Sequence, residues 1–133
     1  MKKIEMYEMI KNSHSEFVIF VKFGSFYRVF NDDIYIIWYF TRYRIVDGKR
    51  IGFPVSIIDD LVELLTHKHI SYIIYNNDFD YIKVSSINNC YNKYVLIGKE
   101  LYRKEERINK VLSLIETKIR KENMLEYYEE WCK

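Results

Sequence analysis

FVIFVKFGSFYRVFNDD, residues 17–33, holds two strand patterns, a turn and a helix start in one short stretch. Phe17 to Phe23 is an apolar run bounded by polar residues, the pattern of a buried central strand. Gly24-Ser25 reads as a turn, and Phe26 to Asn31 as a second strand. Asp32 and Asp33 suit the first turn of a helix, where carboxylates meet unpaired N–H groups and the positive end of the dipole. That helix runs to about Thr41. Phe26 and Arg28 lie two residues apart on the second strand, so their side chains point to one face, just past a tight turn where they can reach a ligand.

Outward from this stretch, Lys2 to Asn12 has closer to helical than alternating periodicity, through Ile4, Met6, Tyr7, Met9 and Ile10. Downstream, Tyr43 to Val46 and Arg50 to Phe53 flank Asp47-Gly48, a two-residue hairpin signal, and Pro54 ends the second arm. Ser56 reads as an N-cap with Asp59 completing a capping box, opening a helix over Ile57 to Leu65 that ends near His67. Ser71 to Tyr75 and Tyr81 to Ser85 read as strands joined by the turn Asn76-Asn77-Asp78. From about Lys99 to Trp131 the pattern is helical with an interruption, striped by Leu101, Ile108, Leu112, Ile115 and Ile119. The element order implies an α+β (mixed α/β) domain over residues 1–90. Residues 91–133 are expected to be an amphipathic helical C-terminal extension packed on the same domain.

A chain of 133 residues that is 49% hydrophobic and 30% charged can build one core, which excludes a disordered protein. Its 13 tyrosines fit either a coding bias toward Ile, Lys, Asn and Tyr or a stacking surface. The net charge of +2 does not by itself mark a nucleic-acid partner, so the distribution matters more. Arg42, Arg44, Lys49 and Arg50 cluster around the hairpin turn. Lys93, Lys99, Arg103, Lys104, Arg107 and Lys110 form a second basic zone, and residues 122–130 turn acidic. Both clusters read as solvated faces or as binding surfaces. Cys90 and Cys132 fit no metal or redox spacing. With no signal peptide and no apolar run of roughly 18 residues, free thiols in a reducing cytoplasm and no membrane contact are expected.

Gly24-Ser25-Phe26-Tyr27-Arg28-Val29-Phe30 resembles the G-D-F-Y-E-L-F segment of the mismatch-recognition domain of MutS, the bacterial DNA mismatch-repair protein. The resemblance covers roughly Tyr7 to Ser85. The helix around Tyr7 to Lys11, the strand before Gly24, the helix opened by Asp32-Asp33 and the segment Ile51-Gly52-Phe53-Pro54 occur in the family's order. The resemblance implies a mixed β-sheet packed by helices and a stand-alone copy of that domain. It implies double-stranded DNA, mismatched or distorted, as partner, with Phe26 as an aromatic wedge and Arg28 beside it. Arg42, Arg44, Lys49 and Arg50 would contact phosphates. Two departures bear on chemistry. Arg28 stands where the family has a Glu and can only donate hydrogen bonds, and Ser25 replaces the family's Asp. Val55-Ser56 also replaces its Tyr-His.

Signals for catalysis are poor. His67 and His69 have no third ligand at a recognisable spacing, and Glu116-Thr117-Lys118 falls on a helix rather than on the strand that nuclease sites need. Gly98-Lys99 lacks the earlier glycine and the hydroxyl of a phosphate loop, so an ATP-driven clamp is not encoded. No catalytic residue, metal or cofactor is expected, and the chain reads as a non-enzymatic module. The alternative is a protein-interaction module that kept the fold without DNA binding. Its C-terminal helix would then dock a partner or self-associate.

Overall fold

The apolar run after Phe17 becomes the central strand. In the computed structural model, which describes residues 2–85 and 89–131 (without the side chains of 81, 83, 85 and 121–131), β1 spans Val18–Phe23. It pairs antiparallel with β2 (Phe26–Phe30) and parallel with β4 (Tyr72–Tyr75). Adding β3 (Arg50–Pro54) and β5 (Tyr81–Ser85) gives a five-stranded mixed sheet of order β3-β2-β1-β4-β5. The helices are α1 (Lys3–Ser13), α2 (Asp33–Thr41), α3 (Ile58–His67) and α4 (Tyr91–Trp131). The mixed α+β class read from the sequence holds.

Both sheet faces carry core. On one, Ile19, Val21, Phe30, Ile73 and Tyr75 pack with Tyr7 of α1. On the other, the ring of Phe20 meets Phe53 at 5.9 Å and Tyr72 at 6.5 Å, and Tyr27 meets Phe53 at 6.2 Å. Strands β2 and β3 alternate cleanly. Tyr27, Val29, Ile51 and Phe53 are buried, while Phe26, Arg28, Arg50, Gly52 and Pro54 are exposed or half-buried on the opposite face. Phe30 breaks the alternation because Tyr7 of α1 covers it edge-on, 4.9 Å between ring centroids.

Three local expectations are corrected. Tyr43 to Val46 is not a strand. Thr41 Oγ1 accepts the Tyr43 amide (3.1 Å), and only Val46 bridges to Arg50. The Asp47-Gly48 turn itself forms, with φ of 55° and 66°, the left-handed pair that this hairpin turn requires. Ser56 does not cap α3; it sits inside a 3-10 turn over Val55–Ile57, and no side chain caps the helix. The C-terminal helix is continuous from Tyr91, not interrupted and not delayed to Lys99. Asn89 opens it by accepting the Tyr91 amide at 3.1 Å.

The chain forms two units, residues 1–99 and 100–133. In the first, Tyr91 and Val95 of α4 are buried, and a Cβ on Gly98 would lie 2.4 Å from the Tyr35 carbonyl oxygen of α2. In the second, Ile108, Leu112, Ile115 and Ile119 are each about half exposed. Among the described residues no helix is long and apolar enough to cross a membrane. Cys132 lies outside the described residues, and Cys90 is free and half-buried.

Candidate functional site

Register places the candidate side chains. Phe26 pairs with Phe23 and Pro54, and Arg28 with Val21 and Gly52, so Phe26, Arg28, Gly52 and Pro54 rise from the same face. Covering α1 packs over Phe30 but leaves this corner of the sheet open. Phe26 is 50% exposed, so its ring is not part of the core. The Arg28 guanidinium lies over the Phe23 ring, 4.6 Å from its centroid, a contact that orients the side chain and uses none of its N–H donors.

A cleft of about 400 Å³ opens beside Phe26. Arg28, Arg44 and Arg50 line it together with Tyr43, Gly52 and Pro54, and among the described residues no carboxylate borders it. Among the described residues none of these three arginines has an ion-pair partner. Four of the six residues expected to meet a ligand therefore share one concavity: Phe26, Arg28, Arg44 and Arg50.

The other two do not. Arg42 adopts a left-handed backbone (φ 60°) at the end of α2. Its guanidinium donates to the carbonyls of Trp38 (3.2 Å) and Tyr39 (2.8 Å) and stacks on the Trp38 ring at 4.1 Å. It closes the helix: the Arg42 backbone amide already donates to the Trp38 carbonyl (2.8 Å), and the guanidinium adds a second donor there and one at the Tyr39 carbonyl. Lys49 lines a separate small recess with Ile4 and Phe30. Sequence reading missed Tyr43 and Gly52. Tyr43 stacks on Phe53 (6.3 Å, 25°) to form an apolar wall, and Gly52 leaves the space beside Arg28 unfilled. Gly52 was detectable as the one residue without a side chain in the predicted strand Arg50 to Phe53.

A second polar cluster lies inside the molecule. Asp33, fully buried, accepts from the hydroxyls of Tyr7 and Tyr91 (2.5 Å each), from Lys11 Nζ (2.6 Å) and from the Ile19 amide (3.1 Å). Lys11 Nζ also donates to the Phe17 carbonyl and to the Tyr91 hydroxyl (2.9 Å), so its three protons are committed. Burial, and then the charge of Asp33, raises the pKa of Tyr7 and of Tyr91 far above the usual tyrosine range. With every donor and acceptor used, this cluster locks α1, β1, α2 and α4 together. His67 and His69 are exposed, as are Glu116 and Lys118 on α4.

This sheet corner presents one half-exposed aromatic ring among guanidinium groups that form no ion pair among the described residues, an arrangement chemically suited to an anionic ligand with a face to stack on. The family model of MutS domain I matches residues 2–76, and the chain belongs to that family. At family level it is thus a domain of the DNA mismatch-recognition type. No curated protein matches the chain.

Proposed function

We propose that this chain is a non-catalytic DNA-binding module that engages mismatched or otherwise distorted duplexes through the cleft beside Phe26. The observation that carries the reading is the meeting of Phe26, Arg28, Arg44 and Arg50 in one concavity. Membership of the MutS domain I family supports it. Phe26 inserts where pairing is already faulty, because a base step there unstacks at lower cost. Stacking contributes on the order of 1–3 kcal/mol per base. Arg28 donates to a phosphate or to an acceptor edge of the displaced base, a contact unlike that of the family's carboxylate. Three guanidiniums on phosphates give a log–log salt slope of about −3.

The test is fluorescence anisotropy on homoduplex, mismatched duplex, single-base bulge and single strand, at low and moderate salt. Preference for the mismatch or bulge, lost in Phe26→Ala, supports the wedge. Absence of binding to all four at low salt contradicts the reading.

A second reading concerns α4. Ile108, Leu112, Ile115 and Ile119 are exposed at four-three-four spacing, the period at which two helices interdigitate. Charges of both signs flank this stripe (Glu105, Arg107, Lys110, Glu116, Lys118), so no single-sign partner is called for, and the occupant proposed is a second copy of the chain. Light scattering on the full chain and on Leu112→Glu tests this. A dimer that becomes a monomer in the variant supports it, and a wild-type monomer at high concentration removes it.

A further inference from the structure

The cleft beside Phe26 gathers more positive charge than an ordinary backbone contact uses. Arg28, Arg44 and Arg50 line one concavity of about 400 Å³ that no carboxylate borders among the described residues. An internal phosphodiester brings one negative charge, and it lies on the convex outside of a duplex. A terminal phosphate carries roughly −1.5 to −2 charges near neutral pH and three strong acceptor oxygens. Guanidinium forks suit such a group, since each can hold two of its oxygens at once.

The shape agrees with the charge. Gly52 stands opposite Arg28, and a Cβ there would meet nothing nearer than the Arg28 Cγ at 3.8 Å, so the space is open because a side chain is missing. Tyr43, stacked on Phe53, forms the apolar wall. Phe26 stands half exposed at the rim, where the base next to a bound phosphate would lie.

We propose that this cleft holds the terminal phosphate of a nucleic-acid strand, at a duplex end, nick or gap, with the adjoining base stacked on Phe26. The proposal rests on the DNA-binding reading and specifies which part of the DNA the cleft takes. A free nucleoside monophosphate offers the same chemistry, and the experiment separates the two sources.

The full chain is titrated into two labelled duplexes with a short overhang, identical except that one carries a terminal phosphate on the overhang. The phosphorylated duplex binds about tenfold more tightly or better, the equivalent of one charge-assisted hydrogen bond. Gly52→Leu fills the cleft while keeping every arginine, and Arg44→Ala removes one; each reduces the difference toward none. Circular dichroism checks that both variants fold. Displacement by millimolar deoxyadenosine monophosphate identifies the free nucleotide as a sufficient ligand, and resistance to it assigns the cleft to strand ends. Equal, salt-sensitive binding of both duplexes overturns the terminal-phosphate proposal and leaves the DNA reading standing. Failure to bind either duplex overturns the terminal-phosphate proposal, and the DNA-binding reading falls with it only when mismatched duplex and single-base bulge also fail to bind.

Discussion

Two clusters of charge in this domain differ in one respect that separates structure from binding. Around Asp33 every donor meets an acceptor, the carboxylate is fully buried, and Lys11 has no proton left to offer. Around Phe26 three guanidiniums line open space, and among the described residues none has an ion-pair partner. A saturated buried network is sensitive to loss of any member, because the remaining charge stays buried. An unsaturated exposed cluster contributes little to folding and is available to a ligand. Damage to the first should therefore appear in stability, and damage to the second in affinity.

The largest effect is expected from Asp33→Ala. It leaves Lys11 uncompensated, the Tyr91 hydroxyl without its acceptor and the Tyr7 hydroxyl with the Phe30 carbonyl alone, a loss of about 3–5 kcal/mol. Urea unfolding followed by circular dichroism measures it; a loss below about 1 kcal/mol would break the comparison. The same network is expected to contribute to a loss of stability at alkaline pH. Tyr7 and Tyr91 have raised pKa values in the folded state, chiefly through burial. Their contribution is fully present below the unfolded tyrosine value near 10 and is lost as pH rises beyond it. Urea midpoints should fall above about pH 10, and Tyr7→Phe should shallow that fall.

Next in size is Gly98→Ala. Its methyl group would sit 2.4 Å from the Tyr35 carbonyl oxygen, which is backbone and cannot swing aside. The expected cost is about 1–3 kcal/mol, seen as a lower urea midpoint and faster proteolysis near Tyr94. A stabilised variant would mean that the contact gives way to the gain in helix propensity.

On the other side of the comparison, Phe26→Ala should leave the urea midpoint almost unchanged and weaken binding to distorted DNA by about 1–3 kcal/mol. Arg42→Ala sharpens the contrast at the smallest scale. Arg42 closes α2, so its loss should cost about 0.5–1.5 kcal/mol of stability and leave DNA affinity nearly intact. A large loss of affinity with unchanged stability would return Arg42 to the binding surface.

The parts of the fold that were legible are those written in adjacent residues. The strand from Phe17 to Phe23, the turn at Gly24-Ser25, the strand from Phe26 and the helix to Thr41 follow from local pattern, and all form. Asp33 was legible only as a carboxylate in the first turn of a helix. Its partners Tyr7, Lys11 and Tyr91 come from distant positions, and no local signal distinguishes it from Asp32, which instead pairs with Lys99 at 3.0 Å. Tyr43 to Val46 misled because its alternation suits a strand, whereas stacking of Tyr43 on Phe53 and closure of α2 by Arg42 set its path. At the cleft, Phe26 and Arg28 were legible from a spacing of two on one strand. Their meeting with Arg44 and Arg50 depends on the register of β2 with β3, which sequence alone does not state.

The most direct test of the central claim is an amide NMR titration of the full, isotope-labelled chain with mismatched duplex at low salt. Shifts should concentrate on residues 26–28, 43–44 and 50–53 and stay small across residues 100–120. Shifts confined to α4, or none at saturating DNA, would contradict the assignment of the cleft as the DNA-binding site.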